Sequence, residues 1–136
     1  IIKQAIFIKK ISLNYSFINL DKGENNHYSN YVLDNLKHKF DITIYHSIWK
    51  ELAANWQVSW QDRNGTYTLF EVGNYTKEVD YKPFWLVNFK LLWKNKNMEV
   101  YSVVSNLFDT KYTDFGNITQ PGRWISLGLN YQINFH

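Results

Sequence analysis

The sequence predicts an all-β, antiparallel, up-and-down sheet protein, and three observations predict it. Large apolar side chains alternate with polar ones over five of six segments. The segments are long. The connections between them run long, short, long, short, long. Aromatic and β-branched residues, which favour pleated strands, dominate the apolar positions; the 136 residues include 6 Trp, 10 Tyr and 9 Phe.

Segment 9–19 sets Ile11, Leu13, Tyr15 and Phe17 against Lys10, Ser12, Asn14 and Ser16. Segment 35–48 sets Phe40, Ile42, Ile44 and Ile48 against Lys37, Lys39, Asp41, Thr43 and Ser47. Segment 51–62 sets Leu52, Ala54, Trp56, Val58 and Trp60 against Glu51, Asn55, Gln57, Ser59 and Gln61. Segment 84–94 sets Trp85, Val87, Phe89, Leu91 and Trp93 against Asn88, Lys90 and Lys94, with Phe84, Leu86 and Leu92 intruding on the polar side. Segment 98–106 is ambiguous, because Val100, Tyr101, Val103 and Val104 fall on both faces. Segment 123–135 is the cleanest, with Ile125, Leu127, Leu129, Tyr131, Ile133 and Phe135 opposite Ser126, Gly128, Asn130, Gln132 and Asn134. Such period-2 patterns belong to antiparallel strands with unlike faces.

The long connections are 20–34, 63–82 and 107–122; the short ones are Trp49–Lys50 and Asn95–Lys96–Asn97. Asn64–Gly65 inside the second long connection suggests a type I′ turn and a small protruding hairpin there.

Composition narrows the class. Zero Cys excludes a disulfide scaffold and thiolate metal, haem or iron–sulfur sites. The longest stretch free of Asp, Glu, Lys and Arg, from Trp124 to His136, is too short for a transmembrane helix of about 20 residues. A net charge of +3 from scattered Lys gives no basic stripe, so no nucleic-acid partner is expected. The chain starts on Ile1 and shows no signal-peptide pattern, so the expectation is a processed chain or a piece of a longer one.

Alternation alone leaves open which face is inside. A soluble barrel or sandwich binding a hydrophobic ligand or glycan would bury the apolar face. A membrane barrel would turn it to lipid. Strand length favours the second, because spanning strands need about 9–11 residues whereas soluble strands cluster near 5–6. Loop alternation agrees, since outer-membrane barrels combine short periplasmic turns with longer outer loops. Trp85 and Trp93 also bracket an apolar stripe of roughly 26 Å, placing an indole near each lipid boundary.

The last half carries a resemblance. Val104-Ser105-Asn106-Leu107-Phe108-Asp109-Thr110-Lys111-Tyr112 resembles a signature near the end of TonB-dependent outer-membrane receptors. Gln120-Pro121-Gly122-Arg123 and the alternating strand ending at Phe135 resemble that family's Pro-Gly-Arg element and last strand. Gln61-Asp62-Arg63-Asn64-Gly65-Thr66-Tyr67 is similar to a recurring stretch of these barrels.

The resemblance implies a 22-stranded barrel filled by an N-terminal plug in a Gram-negative outer membrane. Its function would be TonB-energised import of a scarce nutrient complex, a ferric siderophore or a cobalamin-like compound, with no enzymatic step. Residues 1–136 would then be one segment, about six strands of the larger barrel, without the plug. The implied partners are outer-membrane lipid, the rest of the barrel, the plug, the TonB complex and the nutrient complex. Setting Phe135 on the periplasmic side puts both short turns there and all three long loops outside. The family's usual terminal aromatic is here penultimate, followed by His136.

Outer loops commonly carry binding, and aromatic faces with amides suit large organic ligands. The candidate ligand residues are Tyr67, Tyr75, Tyr112, Phe115, Asn117 and Gln120. Asn55, Gln57, Asn88, Lys90, Asn130 and Gln132 are expected to face the lumen. Trp85 and Trp93 are expected at the lipid interface. Arg123 is expected to tie a loop to the rim, and Asp109 and Asp114 to cap turns. His27, His38, His46 and His136 lack ligand spacing, and no carboxylate pair suggests a carbohydrate-active enzyme; no cofactor, metal or catalytic residue is expected.

Overall fold

The computed structural model describes residues 7–20, 35–71, 74–114 and 118–133. These form β1 (Phe7–Phe17), β2 (Leu36–Ser47), β3 (Leu52–Arg63), β4 (Thr66–Glu71), β5 (Asn74–Asp80), β6 (Phe84–Asn95), β7 (Met98–Ser105), β8 (Thr113–Asp114), β9 (Ile118–Thr119) and β10 (Trp124–Tyr131). No helix occurs among the described residues. Six strands make one antiparallel sheet in the order β1-β2-β3-β6-β7-β10. It is a simple meander, interrupted only by the small hairpins β4–β5 and β8–β9. The sheet is open, with β1 and β10 at its edges.

Pairing register separates the two faces. On one face Tyr15, Phe40, Trp60 and Trp85 stand directly opposite one another across four strands. The next row inward is Leu13, Ile42, Val58 and Val87. A third row, Ile11, Ile44, Trp56, Phe89, Val104 and Ile125, crosses all six strands. Trp93 stands farther along, between Leu52 and Val100. Inward of the Tyr15–Trp85 row this face carries no formal charge over these rows. Its main polar feature is a mutual pair: the Trp56 Nε1–H donates to His46 Nε2 at 3.2 Å. Cross-strand aromatic and β-branched pairs of this kind stabilise a sheet by roughly 0.2–1 kcal/mol each.

The opposite face carries Thr43, Gln57 and Asn88 in one row and Tyr45, Asn55, Lys90, Val103 and Ser126 in the next. Period-2 geometry makes this segregation automatic once the apolar set is in phase.

Nothing among the described residues packs over the apolar face. Among the described residues the buried hydrophobics are Ala53, Ala54 and Tyr81. Leu13 is 64% exposed on one edge strand and Leu127 79% on the other. Trp56 and Phe89 touch, with ring centroids 4.4 Å apart, as neighbours within one layer.

Three details differ from expectation or resolve it. The 63–82 connection does form a protruding hairpin, β4–β5, but Asn64–Gly65 is its base. Gly65 adopts φ 95° to turn the chain out of β3, and its carbonyl accepts the Tyr81 amide at 3.3 Å. The positive-φ residue therefore marks a corner and not a hairpin tip. Segment 98–106 resolves with Val100 and Val104 on the apolar face and Tyr101 and Val103 on the polar one. Tyr101 lies over Gly128, where an added Cβ would come within 2.1 Å of the ring, and Lys90 Nζ sits 4.5 Å from that ring's centroid. The last strand closes at Tyr131, short of Phe135; residues 134–136 lie outside the described residues.

Candidate functional site

The two hairpins rise from the same end of the sheet, and side chains tie their bases together. Arg63, the last residue of β3, forms an ion pair with Asp114 in β8. Its guanidinium also stands over the Tyr81 ring, 5.8 Å from the centroid. Tyr81 packs on Tyr67 with centroids 5.3 Å apart, joining the two legs of β4–β5. Phe84 stacks on Tyr112 at 4.4 Å and 27°. Aromatic pairs in this range add about 0.5–1.5 kcal/mol beyond area burial.

A cavity of about 620 Å³ opens between these elements, lined by Tyr67, Tyr81, Lys82, Pro83, Phe84, Trp85, Thr110, Lys111, Tyr112, Thr113 and Thr119. That is within the usual range for small-molecule sites. Burial, and secondly the neighbouring Asp114 carboxylate, push the Tyr112 phenol above its ordinary pKa, so it stays a neutral hydroxyl at physiological pH.

One wall is held by an interlocked turn built from the Asn-Leu-Phe-Asp stretch. Asn106, at φ 50°, receives the Thr110 amide on its side-chain oxygen at 2.8 Å and donates its amide to the Thr110 carbonyl at 2.9 Å. Its own backbone N–H donates to Asn88 Oδ1 at 2.9 Å, and the Leu107 amide reaches the Val87 carbonyl at 2.7 Å. Asp109, at φ 57°, accepts the Arg123 backbone N–H at 2.7 Å. The Pro-Gly-Arg element thus sits on the turn, and Gly122 passes so close that a Cβ there would lie 2.2 Å from Asp109 Oδ1. Asn and Asp suit both positive-φ positions because they tolerate the left-handed region and bond their local backbone.

The candidate residues divide. Tyr67 and Tyr112 both line the cavity. Gln120 does not: its backbone N–H donates to the Tyr112 carbonyl and its side-chain amide to the Ile118 carbonyl. Phe115 and Asn117 lie outside the described residues, as does the side chain of Tyr75. Asn55, Gln57, Asn88, Lys90 and Asn130 share the polar face. Gln132 lies past the end of β10, beside the short turn, where its backbone N–H donates to the Asn97 carbonyl at 2.9 Å and its carbonyl accepts the Asn97 side-chain amide at 3.1 Å. Trp85 and Trp93 are both on the apolar face. Asp109 caps the Arg123 amide, so Arg123 meets the turn through its backbone.

Sequence reasoning missed the run Tyr81-Lys82-Pro83-Phe84 and Lys111. The available signal was the placement of two aromatics around a Lys-Pro pair at a strand start, where Pro cannot continue a ladder. Among the described residues no cluster of three or more His, Asp or Glu suits a metal.

No protein-family model matches the chain, no curated protein matches it, and no solved structure matches it.

Proposed function

We propose that the chain is the C-terminal barrel portion of a TonB-dependent receptor in a Gram-negative outer membrane, contributing to import of a scarce nutrient complex such as a ferric siderophore or a cobalamin-like compound. The observation that carries this reading is the uncovered apolar face: six strands wide, uncharged over its central rows, bounded on four strands by Tyr15, Phe40, Trp60 and Trp85. Each aliphatic side chain on it would sacrifice about 1.5–3 kcal/mol in water relative to burial. Lipid removes that cost, and the aromatic row suits the interface. Strands of 11 and 12 residues in β1, β2, β3 and β6 fit a tilted crossing.

Further support comes from the polar face. Its polar and charged groups, with Lys39 Nζ 3.5 Å from Asp41 Oδ2 and the Asn88 side-chain amide donating to Gln57 Oε1 at 3.3 Å, suit a face that meets water or a plug. The open edges suit a sheet that continues into a larger barrel. The interlocked turn gives the family-like Asn-Leu-Phe-Asp and Pro-Gly-Arg stretches a common structural reason.

The test is detergent dependence of the whole natural protein. The reading expects a protein that is monodisperse in detergent or lipid and aggregates on its removal. A folded monomer in plain buffer would reject it and favour the soluble sandwich.

A further inference from the structure

We propose that the cavity between the hairpins takes a small molecule combining a flat unsaturated ring with an anionic group. The inference rests on the receptor reading only in treating this end of the sheet as the ligand-facing one.

The walls argue for the ring. Tyr67, Tyr81, Phe84 and Tyr112 line it from four places, β4, the connection between β5 and β6, the start of β6 and the loop before β8. Tyr81 is already 8% exposed, so the pocket has a rigid floor before any ligand arrives. Flat rings gain most from such faces, by offset stacking.

The charges argue for the anion. The charged residues lining the cavity are Lys82 and Lys111, both exposed and both cationic. Neither has an ion-pair partner among the described residues. The nearby carboxylate of Asp114 is engaged with Arg63, so it does not neutralise them. The Tyr112 hydroxyl, kept protonated, adds a neutral donor. Two cations and a phenol around an aromatic slot complement a carboxylate or similar group on a ring, whereas a neutral sugar would leave both ammonium groups unanswered.

The experiment uses the whole protein in lipid nanodiscs and three probes: 2-naphthoate, its neutral isostere 2-naphthamide, and glucuronate, an anion without an aromatic ring. Binding is read by equilibrium dialysis, with saturation-transfer NMR to locate the contact. The expected result is saturable 2-naphthoate binding at least about tenfold tighter than either other probe. Lys82→Gln with Lys111→Gln abolishes that preference, and Lys82→Arg with Lys111→Arg retains it. The arginine pair guards against loss of folding in the glutamine pair. Equal binding of naphthoate and naphthamide overturns the anionic half. Glucuronate binding as tightly as naphthoate overturns the ring. Unchanged naphthoate binding in the glutamine pair overturns the site. Each of these outcomes leaves the receptor reading standing if the protein still requires lipid, and a protein that needs no lipid removes that reading while the binding result stands.

Discussion

Replacing Gly122 with Ala should destabilise the protein only while Asp109 keeps its carboxylate. The added methyl would lie 2.2 Å from Asp109 Oδ1 and 3.3 Å from its Cγ. Backbone conformation is not at issue, since among the described glycines the positive φ belongs to Gly65 and not to Gly122. The carboxylate is the movable partner, so it swings away and gives up the 2.7 Å bond from the Arg123 amide. A hydrogen bond to a charged group is worth about 1.5–3 kcal/mol, and solvent exposure of this one brings it to about 1 kcal/mol. Gly122→Ala should therefore cost about 1 kcal/mol in the native background. In an Asp109→Gly background, where glycine also relieves φ 57°, the same change should be neutral or stabilise by a few tenths of a kcal/mol through the unfolded chain. The assay is urea unfolding of the whole protein in lipid vesicles, followed by tryptophan fluorescence. An equal penalty in both backgrounds would refute the interlock between the turn and the Pro-Gly-Arg element.

Other outcomes follow from the same geometry. Gly128→Val should cost about 1–3 kcal/mol by driving into the Tyr101 ring, and Tyr101→Ala should recover most of it in the same unfolding assay. The Tyr112 phenol titrates above 10, so the unfolded chain loses this proton first as pH rises. Its contribution to stability is full below pH 10 and declines from there up to the folded-state value; ultraviolet difference titration against Tyr112→Phe should show this late tyrosinate. Burial keeps the value raised in Asp114→Asn, but loss of the carboxylate should move it partway back towards 10. Arg63→Ala should unlink the two hairpins and speed proteolysis within 106–123 while leaving the six-stranded sheet's circular dichroism unchanged.

The sheet was legible in the sequence because its signal is local. Ile11, Leu13, Tyr15 and Phe17 fall on one face by period alone, and register with β2 only extends the stripe. Val100, Tyr101, Val103 and Val104 could not be sorted that way. Tyr101 goes to the polar face because it covers Gly128, a partner on another strand. An Asn-Gly pair looks the same at a hairpin tip and at a base corner, and it is the Tyr81 amide on the Gly65 carbonyl, a partner far along the chain, that distinguishes them. β8 and β9 are two residues each and too short to carry a period. The cavity was half legible. Tyr67 and Tyr112 stood out as loop aromatics, but Lys82, Phe84 and Lys111 join them only through the Arg63–Asp114 tie and the Phe84–Tyr112 stack, both of which connect residues far apart in the chain.

The medium around the apolar face is the central question, and nitroxide scanning answers it most directly. Spin labels at Leu13 and Leu127, with neighbours at Asn14 and Ser126 on the other face, are placed one at a time in the whole protein in lipid vesicles. The account predicts frequent collisions with dissolved oxygen and few with a water-soluble nickel chelate at positions 13 and 127, and fewer oxygen collisions at 14 and 126. Labels at 13 and 127 shielded from both reagents, or open to nickel, would contradict it.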